Sequence, residues 1–102
     1  MNLIIENNKS VINKFCQENK VEKLYVFGSV LNNNFSDKSD IDFIVEFNKD
    51  IPLLEYSDFY FSLLFSFEDY FKRDIDLITE KSLKNPFFIA EINATKQLIY
   101  AT

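Results

Sequence analysis

Histidine is absent from the 102 residues of this chain. That excludes Ser-His-Asp and Cys-His nucleophile machinery, His-ligated zinc, and acid or base catalysis by imidazole. A single cysteine, Cys16, excludes an internal disulfide and any Cys-rich metal site, and reads as a small buried hydrophobe. There is one glycine, Gly28, so at one point only can the backbone turn, or be approached closely, without a side chain in the way. No apolar stretch approaches the roughly 20 residues of a membrane span, and the segment Met1 to Lys14 mixes Asn, Glu and Lys with Ile and Leu. A soluble, cytoplasmic protein without membrane association is expected. Basic residues are also few: 11 Lys and Arg stand against 16 Asp and Glu, a formal net charge of -5. They are scattered rather than gathered into a stripe that neutralises phosphates, so no nucleic-acid partner is expected. What remains for chemistry is carboxylate.

A core is present. Hydrophobic residues make up 47% and aromatics 17% of the chain, well above the level of a disordered segment. The length suits a single domain over residues 1–102 and leaves no room for a separate acceptor-binding lobe, so a large acceptor must be held by another chain.

Apolar residues at helical spacing (Ile4, Ile5, Val11, Ile12, Phe15, Cys16) predict one helix from about Ile4 to Gln17, ending near Asn19. Val21 to Phe27 reads as a buried strand that stops at Gly28. After a polar connection, Ile41, Phe43, Val45 and Phe47 alternate with Asp40, Asp42, Ile44 and Glu46, the period of a second strand. Pro52 fits the first turn of a long helix reaching about Lys72. One stripe of that helix, Leu53, Tyr56, Tyr60, Leu63, Leu64, Phe67 and Phe71, should pack on the sheet. A second, Leu54, Phe61 and Phe65, exceeds what the sheet can cover, and a helical partner or a self-dimer would bury it. Arg73 to Thr79 predicts a third strand, Pro86 to Ala94 a helix, and Gln97 to Tyr100 a short last strand. The expected fold is therefore α/β (α+β), a small mixed sheet of three to four strands packed against helices.

Asp40 and Asp42 are two apart on a strand, so their carboxylates share one face and call for a cation. A strand-helix-strand crossover makes the second and third strands parallel, which brings the start of the third towards them. Asp74 and Asp76 share a face there, and alternation alone does not choose between them. Three carboxylates without His or Cys make a hard oxygen site for Mg²⁺ or Mn²⁺, ions that bind a substrate's phosphates, which implies a nucleoside triphosphate. Gly28 and Ser29, at the end of the preceding strand, offer backbone N–H groups and a hydroxyl to a triphosphate tail.

The segment GSVLNNNFSDKSDIDFIVEF, Gly28 to Phe47, together with Asp76-Leu77-Ile78-Thr79, resembles the signature of the minimal nucleotidyltransferases of the DNA polymerase β-like superfamily. The resemblance covers nearly the whole chain. It implies that Gly28 and Ser29 contact the triphosphate of ATP. It further implies that Asp40 and Asp42 ligate two Mg²⁺ ions, and that Asp76, rather than Asp74, completes the catalytic and metal site. Stand-alone members are commonly antitoxins that bind an all-helical HEPN toxin and inactivate it by adding AMP to a tyrosine, which implies that role here. An antitoxin acting by occlusion alone is the alternative. The departure from the pattern is Val30-Leu31-Asn32-Asn33, where many members carry a small residue, an Arg and a Gly. Lys38 is a candidate replacement charge.

Overall fold

The structure, a computed structural model, describes residues 3–32 and 34–102. Met1, Asn2 and Asn33 lie outside them, and with them the end of the departing segment. The elements are helices α1 (Leu3–Glu6) and α2 (Lys9–Glu18), strand β1 (Val21–Phe27), strand β2 (Ile41–Phe47) and helix α3 (Leu53–Phe71). Strand β3 (Ile75–Thr79), helix α4 (Pro86–Thr95) and strand β4 (Gln97–Ala101) follow, with 3₁₀ turns at Gly28–Leu31 and Glu80–Ser82.

The sheet has the order β3-β2-β1-β4. β1 pairs antiparallel with both β2 and β4, while β2 and β3, joined through α3, are parallel. The expected mixed sheet with helices against it is thus observed. β2 is central and buries Ile41, Phe43, Ile44, Val45 and Phe47, and β1 buries Val21, Leu24 and Val26. Against them α2 brings Ile12 and Cys16, and α3 brings Leu63 and Phe67. Phe67 is the keystone of this layer: its ring stacks on Phe43 at 4.7 Å between centroids and meets Phe15 edge-on at 5.9 Å. Burial pushes the Cys16 thiol up to about 12, as expected of a core thiol that stays protonated. No helix among the described residues is long and apolar enough to cross a membrane.

Four expectations need correction. The first helix is two helices, because the Asn8 side chain donates to the Ile4 carbonyl at 2.7 Å and interrupts the backbone ladder. Asn8 also accepts from the Tyr70 hydroxyl at 2.6 Å, which ties the break to α3. Pro52 is the residue before α3 rather than part of its first turn, with an extended ψ of 141°. The third strand begins at Ile75 rather than Arg73, because Lys72 ends α3 in the left-handed region (φ 55°) and two further residues are needed to enter the sheet. Leu53, assigned to the packed stripe, is 87% exposed at the first position of α3. The second stripe stays uncovered, with Phe61 49% and Phe65 59% exposed and stacked on each other at 5.8 Å.

Phe67→Ala should lower the unfolding free energy by about 3–5 kcal/mol, the range for a large buried aromatic removed from a close-packed core. Phe65→Ala should change it by less than about 0.5 kcal/mol. Urea midpoints of the two variants beside the unmodified chain check the contrast.

Candidate active site at one end of the sheet

Because β2 and β3 are parallel while β1 and β4 run against β2, four strand ends meet along one edge: the starts of β2, β3 and β4 and the end of β1. In the β2–β3 ladder Asp42 is the Cα partner of Asp76. In the β1–β2 ladder it is the partner of Phe27, so Gly28 follows directly beside it. Asp40 sits two residues earlier, just before β2 begins. The structure therefore brings Asp40, Asp42, Asp76 and Gly28 to one place, with Ser29 next in the 3₁₀ turn.

Gly28 has φ +76°, a left-handed conformation that side chains rarely adopt. A Cβ there would collide with the Asp42 carboxylate, whose Oδ2 lies over the glycine. The lone glycine of the chain thus answers two demands at once, a turn and a close approach.

The carboxylates repel one another. Burial, then Asp76, then Asp40 raise the Asp42 carboxyl to about 6. Among the described residues no three Asp, Glu or Cys side chains converge into a finished metal cage. The frame does suit a hard divalent cation: an all-oxygen donor set, two carboxylates in register, a third on the approach, and mutual repulsion that a cation would relieve. Asp74 contributes through its backbone, its carbonyl accepting from the Ile41 N–H at 3.2 Å. It is Asp76 that shares the register position of Asp42. Lys38 is exposed on the turn before β2, its N–H donating to the Ser36 hydroxyl at 3.3 Å.

Two side chains that the sequence did not single out hold this frame. Arg73 reaches back across the start of β2 and donates from Nη1 to the carbonyls of Ser36, at 3.0 Å, and Ser39, at 2.9 Å. Its guanidinium lies 4.7 Å from the centroid of the Phe35 ring, and its Nε is buried without a partner. Arg73 thereby clamps the turn that presents Asp40. The Tyr60 hydroxyl donates to the Leu77 carbonyl at 2.6 Å, fixing α3 to β3 one residue past Asp76. Burial, then Asp76, then Glu68 raise its phenol above the ordinary value. An Arg next to Asp74-Ile75-Asp76 was the one available sequence signal, and it does not reveal a reach of more than thirty residues back along the chain.

A family model described as Polymerase beta, Nucleotidyltransferase matches residues 9–102. The chain belongs to this family. The nucleotidyltransferase is 30% identical over 101 residues to a protein of Methanocaldococcus jannaschii provisionally named a protein adenylyltransferase, MJ0128, the match covering 95% of this chain and 90% of that one. A chain of a toxin–antitoxin crystal structure with AMP-PNP superposes with a TM-score of 0.71 at 21% identity, covering 93% of this chain and 74% of that one. A chain from the complex of a tri-AMPylated Shewanella oneidensis HEPN toxin with an MNT antitoxin gives a TM-score of 0.65 at 19% identity, covering 95% of this chain and 72% of that one. At such identities the two superpositions establish the fold.

Asp42→Asn should stabilise the metal-free nucleotidyltransferase at pH 7 by about 1–2 kcal/mol, a value discounted for the half-exposed position of the carboxylate. The sign follows from a folded-state pKa near 6 lying above the ordinary carboxylate value. The ionised group costs stability at pH 7. As the pH falls through 6 the folded state takes up the proton first, so the unmodified chain regains stability and the difference closes by about pH 4. Thermal melts of both proteins with a chelator present, at pH 7 and pH 4.5, measure it.

Proposed function

We propose that this nucleotidyltransferase is a Mg²⁺-dependent protein adenylyltransferase. It transfers AMP from ATP to a protein hydroxyl, a tyrosine of a HEPN-type helical toxin, and so acts as the antitoxin of a toxin–antitoxin pair. The observation that carries the reading is the register of Asp42 with Asp76 beside the glycine turn, in a chain whose M. jannaschii relative is named for protein adenylyl transfer. The tri-AMPylated HEPN toxin in complex with an MNT antitoxin supports the choice of acceptor and partner. AMP-PNP in the other complex supports ATP as the nucleotide.

The geometry supports the following roles. Backbone N–H groups of the Gly28 turn and the Ser29 hydroxyl hold the triphosphate tail, with no side chain at Gly28 to keep phosphate oxygens away. Asp40, Asp42 and Asp76 would hold two Mg²⁺ ions, which when bound neutralise charge on the triphosphate and acidify the attacking hydroxyl. Asp76, on the outer of the two strands, takes the acceptor's proton. The acceptor oxygen forms a bond to the α-phosphorus, the bond from that phosphorus to the bridging oxygen breaks, and pyrophosphate leaves. The exposed Leu54, Phe61 and Phe65 stripe of α3 suits an apolar ridge on the partner.

One observation favours a second reading, neutralisation by binding alone: Val30, Leu31 and Asn32 follow Gly28-Ser29 without the arginine that many members carry. Intact-mass analysis of the helical partner, after incubation with this chain, ATP and Mg²⁺, separates the two. Gain of AMP units, absent with the double variant Asp40→Asn, Asp42→Asn, is expected. A tight complex with no mass change would sink the transferase reading and leave the occluding antitoxin.

Partner binding has its own check. Phe61→Ser with Phe65→Ser should weaken the complex at least about 10-fold in a titration while leaving the melting temperature of the isolated chain within a few degrees. An unchanged affinity would remove α3 from the interface.

A further inference from the structure

Helix α3 turns one face away from the sheet. At about 100° per residue, Leu54, Phe61 and Phe65 fall within about 40° of one another and form a ridge about 16 Å long. Leu54 is 93% exposed, and the exposed rings of Phe61 and Phe65 stack on each other rather than on the core. A contiguous apolar ridge left in water marks a surface that something else covers.

The margins of the ridge decide what that is. α3 carries four charged side chains, Glu55, Asp58, Glu68 and Asp69, and all four are acids. Round the helix axis Asp58 and Asp69 stand about 40–60° to one side of the ridge and Glu68 about 40° to the other. Ser57 and Ser62 border its middle, small side chains that let another helix come close to Phe61. Among the cations that reach α3, Lys72 lies past its end and pairs with Asp69 at 3.2 Å. Lys20 and Lys81 lie over the rings of Phe59 and Tyr56, which pack on the core side of the helix.

These charges count against three occupants. A second copy of α3 would set acid against acid along both margins. An anionic lipid surface or a nucleic-acid backbone would be repelled, since helices that lie on such surfaces border their apolar face with Lys and Arg.

We propose that the α3 ridge docks a helix of another protein whose own apolar ridge is bordered by Lys and Arg. The proposal rests on the reading of this chain as a partner-binding antitoxin and names the chemistry of the partner's contact helix. Charge at the margins, rather than apolar contact alone, selects that helix. Single rim charges contribute little each, but four of one sign act together and steer the encounter.

The test titrates the isolated chain with two synthetic amphipathic helices that share one leucine ridge, one bordered by lysines and the other by glutamates. At low salt the lysine helix should bind at least about 10-fold tighter than the glutamate helix, and its affinity should fall as NaCl screens the margins. Asp58→Lys with Glu68→Lys should erase the preference. Glu6→Lys with Glu18→Lys, at exposed positions of α1 and α2, changes the net charge by the same amount and should leave the preference within about 2-fold. Matched melting temperatures show that both variants are folded. Equal binding of the two helices by the unmodified chain would overturn the proposal. So would an equal loss of preference in both variants, which would assign the attraction to the net charge of -5. A monomer–dimer equilibrium in sedimentation that Phe61→Ser with Phe65→Ser abolishes would give the ridge to a second copy, and capture by phosphatidylserine vesicles would give it to a membrane; either result overturns the proposal. None of these readouts involves a nucleotide, so their failure and a failure of AMP transfer are told apart.

Discussion

The arrangement of this molecule depends on holding like charges together at the end of a parallel strand pair. Neighbouring strands lie about 5 Å apart. Two unit charges at that spacing repel by at most about 3 kcal/mol at an effective dielectric constant near 20, and by less where one of them, like Asp76, is exposed. Among the described residues no cation forms an ion pair with Asp42 or Asp76 to offset this. It is borne by the opposite face of the same strands, where Ile41, Phe43 and Val45 are fully buried and Phe43 is stacked beneath Phe67. The alternation of β2 makes the arrangement consistent: odd positions anchor the strand in the core while Asp40 and Asp42 lie on the other face, where Ile44 alone is buried. A slip of one residue would bury Asp42 and expose Phe43, so the hydrophobic pattern and the site share a single register.

The other half of the constraint is steric. The Asp42 carboxylate occupies the space a side chain at residue 28 would need, and the turn there is left-handed. These two demands explain why the chain, so sparing of glycine, keeps one at this point. They also explain why the end of β1 can present bare backbone beside the acids.

Much of this is legible in the sequence because it follows from periodicity. Period-two alternation located β2 and put Asp40 and Asp42 on one face, and the crossover through α3 made β2 and β3 parallel. What periodicity does not carry is offset. Whether Asp74 or Asp76 stands beside Asp42 depends on how many residues leave α3 before the ladder starts, which is set by the left-handed Lys72 and the clamp of Arg73. Side chains that act over distance are equally silent. The Asn8 interruption of the first helix depends on a bond to its own backbone and another to Tyr70, sixty-two positions away. Leu53 has the right spacing for the core but, as the first residue of α3, stays exposed.

Arg73 also explains why the site keeps its negative character. It is the cation nearest in sequence to Asp74 and Asp76, and in a simpler arrangement its guanidinium would pair with one of them. Instead Nη1 is committed to two main-chain carbonyls, and the ring of Phe35 lies against the guanidinium. Hydrogen bonds to a charged donor are roughly twice as strong as neutral ones, so the turn before Asp40 is held firmly while, among the described residues, the carboxylates have no counter-ion at bonding distance. Burial first, then Asp76 and Asp40, raise the Asp42 carboxyl, and Arg73 does not oppose them. A protein cation bonded to those acids would have made the chain more stable and the edge less receptive to an external cation. Using the arginine to position the loop rather than to neutralise the site leaves the electrostatic demand for whatever binds there to meet.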